Sequence, residues 1–203
     1  MSDPKEIYLT GHVKYLAADA ILAELVTIVA DLDIDDVAGY DGATEDAGGA
    51  RTLAAIAARL EVPRNVVITI TDADNSITAG NVTVRGLNAS GFPVGETFAV
   101  KGGTETITGN EAYSMITSVV CWGFAGVTNA DDNIKVGTGN KLGIPMGKDC
   151  KLVDVFSEKH NAANVVVTPG GVDRTYGTYA TANTANADHD LEFWYTFKAM
   201  LNW

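Results

Sequence analysis

Val66-Val67-Ile68-Thr69-Ile70-Thr71, followed at once by Asp72-Ala73-Asp74-Asn75-Ser76, decides how this chain folds. Val66, Ile68 and Ile70 fall on one side of an extended strand, with Val67, Thr69 and Thr71 on the other. β-Branched residues at period two fit a half-buried pleated surface better than a helix. The Asp/Asn/Ser run then breaks the strand, because those side chains bond their own backbone.

Working outward, residues 81–87 and 94–100 repeat the pattern across Asn88-Ala89-Ser90-Gly91-Phe92-Pro93, which has the composition of a hairpin loop. Ser118-Val119-Val120-Cys121-Trp122 and residues 133–136 add further strands. Residues 63–146 therefore read as a strand array with one apolar face, which needs a second layer to cover it. Beyond it, residues 151–156, 164–168 and the aromatic-rich Leu191-Glu192-Phe193-Trp194-Tyr195-Thr196-Phe197 are strands, the last expected to be well buried.

Residues 1–62 differ in composition. Ile7-Tyr8-Leu9-Thr10-Gly11-His12-Val13 reads as a short strand. Ile21, Leu22, Leu25, Val26, Ile28, Val29 and Leu32 recur at helical spacing behind an Ala-rich start, and residues 52–60 have helix propensity up to Pro63. The expected fold is mainly β, an antiparallel sandwich or barrel with one or two short N-terminal helices. The division expected is a helix-containing subdomain over 1–62 and a β-rich domain over 63–203.

The charge balance of −12, with 20% charged residues, works against phosphate backbones and anionic membranes. Basic residues such as Arg85, Lys101 and Lys135 stand singly. The opening Met1-Ser2-Asp3-Pro4-Lys5-Glu6 is polar and partly acidic, unlike a secretion signal, so a soluble chain made in the cytoplasm is expected. Cys121 and Cys150 lack a repeated spacing and read as unpaired thiols.

Each candidate for chemistry has a plainer reading. Asp31-Leu32-Asp33-Ile34-Asp35-Asp36 begins like a calcium loop, but Asp36 stands where glycine is needed and Gly42 where glutamate is needed. Asp72, Asp74 and Ser76 fail in the same way at Ile77 and read as a turn. Gly137-Thr138-Gly139-Asn140-Lys141-Leu142-Gly143 lacks phosphate-loop spacing and reads as a tight turn after a strand. Asp188-His189-Asp190 has the look of an exposed turn, and Glu96 and Glu105 that of ordinary outward sheet residues. Ser118 and Ser157 have no nucleophile-elbow context. No catalytic residue, cofactor or metal is expected.

The series Val62-Pro63-Arg64-Asn65-Val66-Val67-Ile68-Thr69-Ile70, Ile77-Thr78-Ala79-Gly80-Asn81-Val82-Thr83-Val84-Arg85-Gly86, Gly95-Glu96-Thr97-Phe98, Ala112-Tyr113-Ser114-Met115-Ile116-Thr117-Ser118 and residues 134–145 resembles virion structural proteins of tailed bacteriophages, especially those that decorate or cement the capsid exterior. The likeness covers about residues 62–146. It implies a non-enzymatic protein at the virion surface, binding a major capsid protein lattice as a homo-oligomer, often a trimer, with no nucleic-acid or membrane partner. The apolar content of the N-terminal zone beside a complete β pattern points to Ile7, Leu9, Ile21, Leu25, Ile28 and Leu32 as a capsid or subunit interface. A tail-tube or head–tail joining protein is the alternative within the virion. A carbohydrate- or receptor-binding module is the alternative outside that class, with Trp122, Tyr176, Tyr179 and Trp203 as stacking residues and Trp122 favoured as core.

Overall fold

A computed structural model describes residues 5–15, 27–33, 51–52, 58–126, 132–147, 150–160, 165–167, 169–181 and 190–201. The described residues form strands β1 (Lys5–Tyr15), β2 (Thr27–Asp33), β3 (Arg51–Thr52), β4 (Ala58–Thr71), β5 (Ala79–Leu87), β6 (Pro93–Val100) and β7 (Glu105–Ala125). The series continues with β8 (Asn133–Gly143), β9 (Cys150–His160), β10 (Val165–Val167), β11 (Gly171–Asp173), β12 (Thr178–Ala180) and β13 (Leu191–Leu201). Their pairings are antiparallel throughout.

The mainly β expectation holds, and the N-terminal helices do not. Among the described residues there is no helix. Thr27–Asp33 lies along β8 with Leu32 opposite Ile134, and Ala58–Leu60 opens β4. β-Branched Thr27, Ile28 and Val29 suit a strand, and the offer of ladder bonds from β8 overrides the 3.6-residue apolar spacing. Residues 16–26 and 53–57, the other parts of those two expected helices, lie outside the described residues.

Nine strands form one sheet, along β11-β12-β8-β4-β7-β5-β6 with β2 beside β8 and β3 beside β7. The 21-residue β7 turns this sheet on itself. Its first half pairs with β4 and its second half with β5, the two ladders overlapping at Met115 and Ile116. At that bend Gly86 lies so close to the Met115 carbonyl and the Tyr113 ring that any Cβ would overlap them. The bend carries β5 and β6 across the face of β4 and β8. Val66, Ile68 and Ile70 are consequently buried with Val82, Val84, Phe98, Val100, Ile134 and Val136 in the core of a half-barrel. Fully burying each such side chain contributes roughly 1.5–3 kcal/mol.

Buried Asn65 belongs to this arrangement. The ladders of β4 shift register on both sides of Asn65, leaving backbone groups without strand partners. The Asn65 amide donates to Gly109 O at 2.8 Å and accepts from Lys141 N–H at 2.9 Å, bracketing β7 and β8 across the irregularity. Gly139 lies beneath it, where a Cβ would overlap the amide.

The second sheet runs β1-β13-β9-β10 and packs its inner face over the β8–β12 end of the first. Leu152, Val155, Leu191, Phe193 and Tyr195 of the small sheet meet Val62, Leu142, Ile144 and Tyr179. The Tyr195 hydroxyl donates to Pro145 O at 2.8 Å, and the Tyr179 and Phe193 rings sit 5.3 Å apart. Inside this layer the Tyr179 hydroxyl donates to the buried Glu158 carboxylate and accepts Gly170 N–H at 2.7 Å.

Candidate functional site

Strand β1 is the outermost strand of the small sheet among the described residues, bonded to β13 along eleven residue pairs from Lys5↔Leu201 to Tyr15↔Leu191. Ile7, Leu9, Gly11 and Val13 share the face turned inward. Val13 packs on the inter-sheet core, and the Tyr195 ring lies across Gly11, occupying the space where a side chain would stand. The same row continues to Leu9 and Ile7, but the cover does not: they are 44% and 37% exposed. An apolar sheet face thus runs out past the edge of the layer that buries its other end.

The outer face of the same strands is polar and ordered. Lys14 Nζ lies 2.9 Å from Glu192 and 3.2 Å from Asp190, and His12 stacks on Trp194 with centroids 4.6 Å apart. Lys159 Nζ sits 4.8 Å from the centroid of the same indole. Hydrogen bonds to Glu192, then Asp190, raise the Lys14 pKa, and the Lys14 bond lowers that of Glu192.

Of the residues expected to form an interface, Ile7 and Leu9 are on β1, whereas Ile28 and Leu32 are on β2 in the other sheet. Ile21 and Leu25 lie outside the described residues.

The acidic turn gains a third member from a distance. The carboxylates of Asp72, Asp74 and Asp132 all lie within 4.8 Å of one another. Asp72 accepts Ser76 N–H and Ile77 N–H at 3.0 Å each, and Asp132 accepts Ala73 N–H at 2.9 Å. Those bonds fix the turn between β4 and β5, as the turn reading requires. Asp132 has no local signal to announce it; only the β4–β8 pairing of Thr71 with Asn133 brings it there.

Glu96 and Glu105 do not face each other. Glu105 accepts Lys101 N–H at 2.7 Å, while Glu96 accepts Asn110 N–H at 2.9 Å and Glu111 N–H at 3.2 Å. Glu111 is the acid that Glu96 perturbs: burial first, then the Glu96 charge, raises its pKa. His12 is placed on the outer face of β1, and His189 lies outside the described residues.

The residues read as a turn, Gly137 to Gly143, continue β8 instead. Partners on both sides, β4 and β12, supply ladder bonds that the glycines alone do not predict. Trp122 is also corrected: it is 40% exposed, with its indole N–H on Thr83 Oγ1 at 3.1 Å. Val119 and Cys121 point inward, Trp122 outward, and Gly123 at φ 63° inserts the extra residue that returns Phe124 to the core. Tyr179 is buried, Tyr176 is exposed and Trp203 is outside the described residues, so the expected stacking quartet does not share a surface. Neither Cys121 nor Cys150 is in a disulfide.

A cleft of about 520 Å³ opens beside the inter-sheet core, lined by Ser90, Phe92, Met146, Cys150, Arg174 and Tyr176 among others. Its arginine is turned aside, with Arg174 Nε donating to Val153 O at 2.6 Å.

Neither a family model nor a curated protein matches this sequence. Two solved structures show a faint likeness: the crystal structure of the infectious bursal disease virus VP2 subviral particle and the structure of the Gx strain of that virus. Identity is 11% and 10%, and the TM-score is 0.22 in both. The likeness covers 98% and 99% of this chain and 42% of each of those chains, so this chain spans well under half their length. At that TM-score neither likeness carries an argument about fold or assembly.

Proposed function

We propose that this chain is a non-enzymatic virion structural protein of the capsid-decoration type, which self-associates, binds the outer surface of a major capsid lattice and stabilises the head. The adhesive half of this reading is supported by one observation above others: Ile7 and Leu9 continue a core-facing row into solvent, 37% and 44% exposed. Apolar surface left at the end of an ordered strand is surface available to a partner. The virion half is supported by the resemblance over residues 62–146, whose quoted segments fall on β4 through β8. Several weak contacts made together hold a lattice protein in place, because each tether raises the effective concentration of the next. The net charge of −12 keeps coated particles from adhering to each other.

Cryo-microscopy of particles assembled with and without the chain tests this. The expected result is added density on the outer shell and heads that rupture more readily when the chain is missing. Identical heads in both preparations remove the reading, and density within a tail tube replaces it with the alternative virion role.

A further inference from the structure

We infer that β1 pairs with the β1 of a second copy, antiparallel and with Thr10 on the two-fold axis, joining two small sheets into one. This deepens the adhesive reading by naming the partner of the β1 end, and it stands whether or not the joined unit binds a capsid.

The inference starts from backbone parity. Along an edge strand, alternate residues turn their N–H and C=O outward, so two identical edges pair only when outward residues meet outward residues. Antiparallel registers are therefore restricted to those in which the paired residue numbers sum to an even value. One of these pairs all eleven residues of β1: Lys5 opposite Tyr15, Glu6 opposite Lys14, Ile7 opposite Val13, Tyr8 opposite His12 and Leu9 opposite Gly11.

That register extends each row already present in the sheet. Across the outer face, the pairings place Lys14 beside Glu192 and Glu192 beside Lys159. One row further on, His12 is stacked on Trp194, and Tyr8 of the second copy joins that aromatic row beside His12. On the inner face, Leu9 of the second copy falls beside Gly11, over which the Tyr195 ring lies, and Ile7 falls beside Val13 of the inter-sheet core. The uncovered apolar end of each copy thereby meets the covered end of the other, at both ends of the two-fold.

Neighbouring even registers lose these matches. Sliding by two residues one way sets Tyr8 opposite Thr10 and takes Ile7 away from Val13; sliding the other way sets Tyr8 opposite Lys14 and takes Leu9 away from Gly11. Self-complementarity of one patch in one register is what an isologous interface requires.

Single-cysteine cross-linking of the full chain, in a Cys150→Ser background, tests both partner and register. A residue on a two-fold axis meets its own copy at about 4.5–5.5 Å between Cα atoms, within disulfide range. Thr10→Cys is expected to give a covalent dimer on mild oxidation. Tyr8→Cys is not, since its copies lie four residues apart along the strands, roughly 14 Å. Sedimentation equilibrium is expected to show a dimer for the unmodified chain and a monomer for Leu9→Glu, whose unchanged circular dichroism reports an intact fold. A monomeric unmodified chain at sub-millimolar concentration overturns the inference, as do equal cross-linking at both positions and a dimer or trimer that Leu9→Glu leaves unchanged. If the chain is monomeric yet still coats heads, this pairing is wrong and the decoration reading survives. If it dimerises but leaves heads bare, the reverse holds.

Discussion

The half-barrel core and the inter-sheet core are made from different residues gathered over different stretches of chain. The first is mainly aliphatic and β-branched around Phe98, Tyr113 and Phe124, and is supplied by β4 to β8 with Ile77. The second brings Tyr179, Phe193 and Tyr195 into ring contact, contains the buried Glu158, and needs β13, whose other partner β1 comes from the opposite end of the chain. Where one continuous stretch of chain supplies a core, pattern and turn chemistry act within that stretch, although only β5 and β6 pair there as neighbours in sequence. Where distant strands must meet, the layer packs on the first sheet, whose Val62, Leu142 and Ile144 are its floor.

The largest expected effect separates the two. Phe193→Ala removes a fully buried ring from the inter-sheet core and is expected to cost about 3–5 kcal/mol. Ile68→Ala in the half-barrel is expected to cost about 2–5 kcal/mol. Hydrogen exchange tells them apart. Phe193→Ala is expected to lower amide protection in β1, β9 and β13 while β4 to β8 stay protected; Ile68→Ala is expected to lower it in both sheets. Uniform loss in both variants would merge the two cores into one cooperative unit.

The buried tyrosines give a smaller and sharper test. Tyr113 donates to the neutral Val84 carbonyl at 3.3 Å, whereas Tyr179 donates to a carboxylate. Hydrogen bonds to charged groups contribute about 1.5–3 kcal/mol, against about 0.5–1.5 for neutral ones. In denaturant melts Tyr179→Phe is therefore expected to lose roughly twice as much stability as Tyr113→Phe. An equal loss, or a larger one at Tyr113, would show that the Glu158 carboxylate gains nothing from its tyrosine.

High pH acts on both cores together. Burial raises the pKa of Tyr113, Tyr179 and Tyr195 above the ordinary tyrosine value. A folded-state pKa raised above the unfolded one gives stability that is complete below about pH 10 and is lost as pH rises beyond it. Phenolate absorbance is expected to show these three of the seven tyrosines ionising only as the chain unfolds. Free titration of all seven in a folded chain would contradict the packing of both cores.

What could be read from the sequence follows the same division. Val66-Val67-Ile68-Thr69-Ile70-Thr71 with its Asp/Asn turn located β4, and residues 81–87 and 94–100 located β5 and β6. The aromatic run from Leu191 located β13 but not its neighbour, since register between chain ends leaves no local mark. Ile28 and Leu32 misled because apolar spacing satisfies a helix equally well until β8 offers its edge. Trp122 misled because an unbroken apolar run hides the alternation: Val119 and Cys121 take the inward side of β7, which leaves Trp122 on the outer one. The acidic turn was legible as Asp72 and Asp74; Asp132 and the Glu96–Glu111 proximity depend on strands meeting across the sheet. Ile7 and Leu9 were legible as apolar, and their exposure was not, because it is set by where the covering sheet stops.

The smallest effects have opposite signs in the two regions. Glu111, near the half-barrel, has a pKa raised by burial and by Glu96, so its folded form holds a proton more tightly than the unfolded chain does. By linkage its ionised carboxylate opposes folding at neutral pH, and that opposition fades as pH falls through the raised value. Glu192, on the small sheet, is lowered by its bond to Lys14; its contribution is present above the unfolded carboxylate value and is lost as pH falls. Glu111→Gln is accordingly expected to stabilise at pH 7, within the roughly 0.5 kcal/mol typical of surface changes. Glu192→Gln is expected to destabilise slightly at the same pH, and less in high salt. Thermal melts from pH 7 downward are expected to bring Glu111→Gln back to the parent near pH 4, about where free carboxylates titrate, and Glu192→Gln back from the opposite side only below that pH, where its lowered folded value is passed. Convergence from the same side would mean that Glu111 is solvated like Glu192, and that burial at the half-barrel rim does not reach its carboxylate.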